Sequence, residues 1–341
     1  MESAPLVSIV TPFYNTQAYL AESIESVLRQ SYQNWEYVLV DNFSTDGCGD
    51  IAAKYAAQFP AKIRVVRPPS FLPQVQNYNF ALSSISPGSK YCKMVQADDW
   101  IFPECIREMV DVAEAHPSVG IISAYELEGR HVSLDGLPYP SAEVSGREVC
   151  RLFFLRRLYL FGSPNSLLYR SDLVRSRNPF YDERLAPFED GQVCFDLLKS
   201  NNFGFVHQVL TFSRRDNESI SNRIRPYNYL ALFRLQAVVL YAREFLTPLE
   251  YELCLEDAER QYFLFLGKSV LKHKPAAFWE FHRQGLGVIG YKLDSSLYTK
   301  WAPLALLDFV GNPKRAIDSF LDRRSKTRDI VYSAPEDERP R

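Results

Sequence analysis

Short apolar runs alternate with amphipathic segments over the first 125 residues. The run Val7–Thr11 is followed by Gln17–Gln30, in which apolar residues recur on one helical face. The segment Glu36–Asp41 is apolar almost throughout, as expected of a strand that is covered on both faces of its sheet. The alternation continues with predicted strands at 63–66, 91–95 and 119–124 and predicted helices at 51–59, 74–85 and 103–116. This order predicts right-handed crossovers and a mostly parallel central sheet flanked by helices.

The residues that follow the predicted strands are the first candidates for a functional site, because ligands of such sheets bind beyond the carboxyl ends of the strands. Three segments lie there: Thr11–Asn15, Asp41–Asp46 and Gln96–Trp100. Asp98 and Asp99 are adjacent, directly after an apolar strand. Because neighbouring carboxylates repel each other, the pair suits a hard divalent cation that also binds substrate phosphates. The alternative is that Asp99 caps the following helix.

The second half of the chain is less regular. A polar, turn-rich stretch at 129–145 precedes alternating predicted helices and strands at 148–160, 165–169, 171–175, 189–200 and 203–212. From Pro226 onward only helices are predicted, at 227–245, 248–272 and 276–283. We therefore predict a catalytic α/β domain at 1–224, a helical C-terminal extension at 225–315 and a flexible tail at 316–341.

Composition narrows the class of protein. The chain has 341 residues, of which 46% are hydrophobic and 23% charged, and this is a globular composition. Its net charge of −2 argues against nucleic acid as a partner. No apolar stretch reaches the roughly 18 residues of a membrane helix, and no signal-peptide pattern opens the sequence. The six cysteines show no C-x-x-C spacing, which favours reduced thiols in a cytoplasmic protein.

Two common phosphate-binding motifs are absent from the sequence. No G-x-G-x-x-G follows the first predicted strand, which argues against a dinucleotide-binding enzyme. No G-x-x-x-x-G-K-[ST] occurs either, which argues against a P-loop protein. The strand-end carboxylates therefore need another explanation.

Six segments together match the pattern of one family. In chain order they are Val7–Asn15, Glu22–Gly47, Tyr78–Leu82, Gln96–Asp99, Glu189–Asp190 and Arg214–Ser221. The first two resemble the opening of family 2 glycosyltransferases, and Gln96–Asp99 resembles the metal motif of that family. Glu189–Asp190 resembles its catalytic Glu-Asp pair. The resemblance covers roughly residues 5 to 222.

The resemblance implies an A-type glycosyltransferase (GT-A) fold and a nucleotide-diphosphate sugar donor, with UDP as the expected nucleotide. It further implies that Asp41 accepts a hydrogen bond from the base and that Asp98 contacts the ribose or the metal. Asp99 would bind the divalent cation, Mn²⁺ or Mg²⁺, and Asp190 would be the catalytic base that deprotonates the acceptor. The other residues expected at the nucleotide-sugar site are Thr11, Pro12, Tyr14, Asn15, Asn79, Gln96 and Arg214.

We therefore expect an inverting, metal-dependent hexosyltransferase in the cytoplasm. It would move a sugar to a hydroxyl group of a glycan or lipid-linked acceptor in surface polysaccharide synthesis. The C-terminal helices would extend the acceptor side, form a homo-oligomer, or contact the inner face of the membrane.

Three positions depart from the family's pattern. Gln96 replaces the first Asp of Asp-x-Asp-Asp, Asn42 replaces a frequent Asp, and Asp216 stands where histidine is usual. Two other functions therefore remain open: a GT-A-fold binding or scaffold protein with impaired catalysis, and a nucleotidyltransferase. A nucleotidyltransferase would usually carry a Gly-rich, basic loop after its first strand, and Thr11–Asn15 is neither.

Several of these side chains also have a simple structural interpretation. Asp41 is placed to start an Asx turn with Ser44. Asp46 is placed to cap the following helix. Asp190 stands at a predicted helix start, where the helix dipole favours a carboxylate and would keep it ionised. Tyr14 is a candidate for core packing instead of base stacking.

Overall fold

The computed structural model describes residues 4–215 and 224–311. The predicted tail at 316–341, Asp216 and the remainder of the motif up to Ser221 lie outside the described residues. The chain divides into two compact units, one up to Ala258 and one from Glu259. The first unit therefore contains the predicted catalytic domain together with the first helices of the predicted extension.

Within the described residues, the first unit contains a ten-stranded sheet. Its strands are β1 (Val7–Phe13), β2 (Trp35–Asp41), β3 (Ile63–Val66), β4 (Tyr91–Met94), β5 (Trp100–Ile101), β6 (Val119–Glu128), β7 (His131–Ser133), β8 (Glu143–Val144), β9 (Leu168–Arg170) and β10 (Asn202–Ser213). Their order is β3-β2-β1-β4-β9-β6-β10-β5, with β7 beside β6 and β8 beside β10.

The longer strands of this sheet pair in parallel. β1 pairs in parallel with β2 and β4, β2 with β3, and β6 with β10. The short strand β9 runs antiparallel between β4 and β6 and joins the two parallel halves. The predicted mostly parallel α/β sheet is confirmed, with β9 as an antiparallel strand inside it.

Helices flank this sheet, and further helices follow it in the chain. In the first unit they are α1 (Gln17–Leu28), α2 (Cys48–Gln58), α3 (Gln74–Ser83), α4 (Cys105–Ala115), α5 (Gly146–Phe154), α6 (Ser171–Arg175), α7 (Glu189–Leu198) and α8 (Tyr229–Tyr241). Helix α9 (Pro248–Leu271) contains the last residue of the first unit, and α10 (Ala276–Val288) and α11 (Ala302–Gly311) follow in the second. Within the part of the chain that the structure describes, no helix is both long and apolar enough to cross a membrane.

The hydrophobic core lies against the central strands, as the hydrophobic pattern of the sequence predicts. All seven residues of β1 are buried. On α1 the predicted apolar face packs inward, and Leu20, Ile24 and Val27 have no exposed surface. This packing fixes the strand ends at which the candidate site residues lie.

Several predicted elements differ in extent from those observed. The helix predicted at 148–160 ends at Phe154, and Leu160, the last residue of the prediction, is buried as irregular chain. The strand predicted at 165–169 begins as a 3₁₀ turn, Pro164–Ser166, and becomes β9 only at Leu168. Strand β6 continues four residues past its predicted end at 124, to Glu128.

A lysine without exposed surface lies in the middle of the sheet. Lys93 on β4 donates from Nζ to the carbonyl oxygens of Asn165, at 2.6 Å, and Leu167, at 3.2 Å. Burial lowers the pKa of this lysine, because an ammonium loses hydration there. These bonds hold residues 163–168, here called the bridging segment, against the central strand. The Asn165 amide in turn donates to the carbonyl oxygen of Phe212 on β10, at 3.1 Å.

We expect Lys93→Met to destabilise the fold. The variant keeps the length of the side chain but leaves two carbonyl oxygens of the bridging segment without their donor. The free energy of unfolding, measured by urea titration, should fall by about 2–4 kcal/mol. Lys54→Met on the exposed surface of α2 is the control and should change it by less than about 0.5 kcal/mol. If the two variants were equally stable, the bridging segment would not depend on Lys93.

Candidate functional site

The loops after β1 and β2 are tied to each other by two polar side chains. Asn15, at a left-handed φ of 51°, accepts a hydrogen bond from the Thr45 N–H at 2.8 Å. Asp46 accepts from the N–H of Gln17, at 2.8 Å, and of Cys48, at 3.1 Å. These are the first N–H groups of α1 and α2, so Asp46 supports both helix starts, whereas the N-cap position of α2 is occupied by Gly47 and not by Asp46 as predicted. The two loops therefore form one surface at the strand ends.

Asp41 is the buried anion of this surface, with 1% of its area exposed. One oxygen accepts from the Ser44 N–H at 2.8 Å, which confirms the Asx turn. The other oxygen pairs with the guanidinium of Arg67, the residue after β3. Arg67 itself is half exposed and lies over the Phe43 ring, 5.1 Å from its centroid. A ligand at this position would therefore meet a carboxylate and a guanidinium together.

The predicted binding residues on β1 and in its loop occupy two different environments. Tyr14 is 45% exposed and packs edge-on against Phe71, with 5.0 Å between ring centroids, so it is not a core residue. Thr11 has no exposed surface, and its hydroxyl donates to the carbonyl oxygen of Val95 at 2.7 Å. Pro12 is buried as well. The structure thus leaves Tyr14 accessible to a ligand and places Thr11 where it links β1 to the end of β4.

Two side-chain amides that depart from the family's pattern, Asn42 and Gln96, donate hydrogen bonds to nearby residues. Asn42 donates to the carbonyl oxygen of Leu72 at 2.8 Å and accepts from the Leu72 N–H at 3.0 Å. Gln96 donates to the Tyr78 hydroxyl at 3.1 Å, to which Gln74 also donates at 2.8 Å. Because a carboxylate cannot donate, aspartate at position 42 would lose the bond to the Leu72 carbonyl oxygen. The fold therefore explains Asn42, whereas the Tyr78 hydroxyl, which can also donate, would accommodate either an amide or a carboxylate at position 96.

Asp99 is a buried carboxylate held by the end of β10. It is 6% exposed, and its Oδ1 accepts from the backbone N–H of Arg214 at 2.8 Å. Its Oδ2 lies 3.4 Å from the Ser213 hydroxyl. Burial and the neighbouring Asp98 raise the pKa of Asp99 well above its ordinary value. A positive charge at this position would relieve that electrostatic cost.

Arg214 closes the loop that carries the two aspartates. Its Nε donates to the carbonyl oxygen of Asp98 at 3.0 Å, and its guanidinium pairs with Glu22 at 2.5 Å. The guanidinium also lies over the Tyr19 ring, 4.6 Å from its centroid. Glu22 and Tyr19 were not predicted as site residues. Both lie on α1, and nothing in the sequence of that helix indicates that their partner is Arg214, which is far away along the chain.

The side chains that could act as metal ligands decide which kind of metal site is compatible with this chain. Among the described residues, no group of three or more His, Cys, Asp or Glu side chains is placed to hold a metal ion. Asp98 and Asp99 supply two carboxylates, and the buried one gains from a positive charge. Mg²⁺-type ions bind through one or two carboxylates together with substrate phosphates. The residues therefore fit a cation that arrives with a nucleotide diphosphate and do not form an all-protein site.

Glu189 and Asp190 form the first turn of α7. Glu189 is 7% exposed, and among the described residues its Oε2 has no hydrogen-bond partner. Asp190 accepts from the Gly191 N–H at 2.7 Å. Burial, with Asp190 beside it, raises the pKa of Glu189 to about 8, and burial raises the pKa of Asp190 to about 6. Burial thus outweighs the helix dipole, contrary to the expectation of an easily ionised Asp190.

Tyr78 connects the metal motif to this pair. Burial raises the pKa of the Tyr78 hydroxyl, and electrostatic repulsion from the carboxylates of Asp98 and Glu189 raises it further. Asn79, next in the chain, does not present its amide to the site. It donates to the Tyr181 carbonyl oxygen at 2.9 Å and accepts from the Tyr181 N–H at 2.8 Å. Asn79 therefore anchors the segment that leads into α7, and its predicted contact with the nucleotide sugar stays a prediction.

Comparisons with known proteins agree with this geometry. The family model described as "Glycosyl transferase family 2" matches residues 8–176. The putative glycosyltransferase EpsE of Bacillus subtilis (strain 168) is 30% identical over 235 residues, which are 67% of this chain and 80% of that protein. The minor teichoic acid biosynthesis protein GgaA of the same strain is 26% identical over 241 residues. That match covers 66% of this chain but only 52% of GgaA.

A solved structure establishes the fold class independently. The crystal structure of residues 1–349 of Staphylococcus aureus TarS in complex with UDP-GlcNAc superimposes with a TM-score of 0.61 and 18% sequence identity. The superposition covers 83% of this chain and 80% of that one. At this identity the likeness concerns the fold, and it confirms the GT-A architecture.

We expect the raised pKa values at α7 to make stability depend on pH. In the unfolded chain a glutamate titrates near its ordinary pKa of 4.5, whereas folded Glu189 keeps its proton up to about 8. The folded state therefore binds more protons in this window, and the free energy of unfolding falls as the pH rises through it. Glu189→Gln should consequently gain stability relative to the wild type between about pH 5 and pH 8.

Urea unfolding of the wild type and of Glu189→Gln at about pH 5 and about pH 8 measures this difference in the free energy of unfolding. Glu183→Gln, on the exposed turn before α7, is the matched control and should follow the wild type. A Glu189→Gln variant with the same stability difference from the wild type at both pH values would contradict the assignment.

Proposed function

Because the chain belongs to glycosyltransferase family 2, we propose that it transfers a sugar from a nucleoside-diphosphate donor to a hydroxyl group of an acceptor. The observation that carries the proposal is the convergence at Tyr78. Its hydroxyl accepts a hydrogen bond from Gln96, in the motif that resembles a donor site, and its neighbour Asn79 is bonded to Tyr181, in the segment that leads into the motif that resembles a catalytic pair. Donor and acceptor chemistry would therefore meet at one place on the strand ends.

UDP is the nucleotide that these side chains fit best. Uracil N3–H is a donor, and the Asp41 carboxylate is an acceptor held in place by the Ser44 N–H. Arg67 beside Asp41 can donate to a uracil carbonyl oxygen. The exposed ring of Tyr14 is available to pack on the base. The likeness to TarS, which was solved with UDP-GlcNAc, supports the same nucleotide class.

Asp99, with Asp98, would hold the divalent cation, Mn²⁺ or Mg²⁺. When bound, this ion supplies positive charge that stabilises the departing diphosphate. Arg214 keeps the Asp98–Asp99 loop closed through its bonds to the Asp98 carbonyl oxygen and the Asp99 carboxylate. The chain's own residues thus pre-form the anionic end of the site before the nucleotide arrives.

Asp190 would be the general base. A carboxyl group with a pKa of about 6 is ionised at neutral pH and is a better proton acceptor than an ordinary aspartate. Glu189, with a pKa of about 8, keeps its proton at the same pH and adds no second charge beside Asp190. The acceptor oxygen, deprotonated by Asp190, would attack the anomeric carbon opposite the leaving diphosphate, so that the configuration inverts.

A surface glycan is the acceptor class that we propose. The relative GgaA is named for minor teichoic acid biosynthesis, and such polymers offer hydroxyl groups. A lipid-linked acceptor would bring the protein to the inner face of the membrane. The C-terminal helices would then serve the acceptor side, the membrane contact or a homo-oligomer. A scaffold protein without catalysis is not favoured, because the departure at Asn42 has a local structural explanation.

We expect Asp190→Asn to abolish most of the transfer while leaving donor binding intact. The amide keeps the shape of the side chain but cannot take a proton, so the turnover number should fall at least about 100-fold. Transfer is measured by UDP release from UDP-sugars in the presence of Mn²⁺ and a membrane glycan extract, and donor affinity by calorimetry. Asp196→Asn, farther along α7 and paired with Arg177, is the control and should remain active. Near-normal turnover of Asp190→Asn would assign the base to another residue.

We expect Asp41→Ala to weaken UDP binding about 10-fold or more, because a charged hydrogen bond to the base is lost. Calorimetric titration of UDP measures the dissociation constant. Asp50→Ala on α2 is the control, since this aspartate is exposed. An unchanged dissociation constant in folded Asp41→Ala would exclude Asp41 from base recognition.

A further inference from the structure

Behind Asp99 lies a second buried carboxylate that the proposed mechanism does not use. Glu126 on β6 is 3% exposed, and its Oε1 accepts hydrogen bonds from three serine hydroxyl groups. Ser166 donates at 2.9 Å and Ser163 lies at 3.4 Å, both from the bridging segment. Ser213, at the end of β10, makes the shortest of the three bonds. The last of these serines also neighbours Asp99.

The Ser213 hydroxyl has two carboxylate neighbours but only one proton to donate. Its oxygen is in short contact with Glu126 Oε1 and lies 3.4 Å from Asp99 Oδ2. Glu126 is the nearer of the two acceptors, and whichever carboxylate takes the proton leaves the other with one donor fewer.

We propose that Glu126 is a positioning residue for donor binding, which keeps the Ser213 proton away from Asp99 so that Asp99 Oδ2 is open to the nucleotide-bound cation. The inference rests on the proposed function, because it assumes that Asp99 meets a divalent cation. Glu126 acts only through Ser213 and through its own negative charge, and it touches neither nucleotide nor cation.

The surroundings of Glu126 supply hydrogen-bond donors to its carboxylate. The hydroxyl groups of Ser163, Ser166 and Ser213 solvate the carboxylate. Lys93 lies near enough that Glu126 partly offsets the burial that lowers the pKa of this lysine. The same lysine holds the carbonyl oxygens of the bridging segment, which supplies two of the three serines. The network therefore runs from the centre of the sheet to Asp99 without a break.

The purely structural alternative is that Glu126 only balances Lys93 and ties β6 to its neighbours. In that case its loss would lower stability but would leave the cation affinity of the folded protein unchanged. The two explanations differ in what happens at Asp99, and a binding measurement separates them.

The test is calorimetric titration of UDP into Glu126→Gln, in Mn²⁺ and in chelator. Glutamine keeps the shape and one amide oxygen as an acceptor, but the charged Asp99 carboxylate is the stronger acceptor, so the Ser213 proton should turn to Asp99 and compete with the cation. We expect the affinity for UDP in Mn²⁺ to fall about 10-fold or more, with little change in chelator. Unchanged affinity in Mn²⁺ would overturn the proposal.

A matched control and a rescue sharpen the result. Glu143→Gln on β8 makes the same change at a carboxylate that also accepts from a serine and a second donor, Ser118 and Asn202, but it lies outside the site network and should bind UDP like the wild type. Adding Ser213→Ala to Glu126→Gln removes the competing proton and should recover affinity in Mn²⁺. Absence of recovery would overturn the proposed route through Ser213.

A second variant covers the case in which Glu126→Gln does not fold. Glu126→Asp keeps the charge but withdraws the carboxylate from Ser213, so it should also weaken UDP binding in Mn²⁺, by a smaller factor. Wild-type affinity in folded Glu126→Asp would contradict the proposal. If the wild-type protein itself bound UDP equally in Mn²⁺ and chelator, the proposed cation site would fail, and this outcome is distinct from a failure at Glu126.

Discussion

The structure depends on one buried ammonium group at the centre of its sheet. Lys93 has no exposed surface, and a buried charge is tolerated only where its hydrogen bonds are satisfied. Its partners are two carbonyl oxygens of the bridging segment, which returns to the central strand after α5. That return inserts β9 antiparallel between β4 and β6 and brings Asn165, Ser163 and Ser166 beneath the strand ends.

The candidate site is the outer layer of the same arrangement. Glu126 and Ser213 connect the bridging segment to Asp99, and the Arg214 backbone holds the other oxygen of that carboxylate. On the opposite side, Asn79 anchors the segment that leads into α7 and its carboxyl pair. Negative charge is thus concentrated where a cation and a nucleotide diphosphate would neutralise it.

The fold class and the outer carboxylates were predictable because their signals are local. Strand and helix periodicity located β1, α1 and β2, and the position of Asp41, Asp98 and Asp99 at the ends of apolar strands marked these residues as candidates. The buried contacts beneath the candidate site, those of Lys93 and Asn79, were not predictable. Lys93 stands in a four-residue strand, where a charge suggests an exposed edge, and its partner Asn165 is 72 residues away. The reciprocal amide pair of Asn79 spans 102 residues. Such contacts leave no periodic trace in the sequence.

The central claim is that the strand-end aspartates bind a cation only together with a nucleotide diphosphate. The most direct measurement is the anomalous scattering of Mn²⁺ in crystals grown with UDP. The account predicts one strong peak in contact with the Asp99 carboxylate and the diphosphate, and no peak there in crystals grown with Mn²⁺ alone. Bound UDP with no Mn²⁺ peak at Asp99, or a peak held by other side chains, would contradict it.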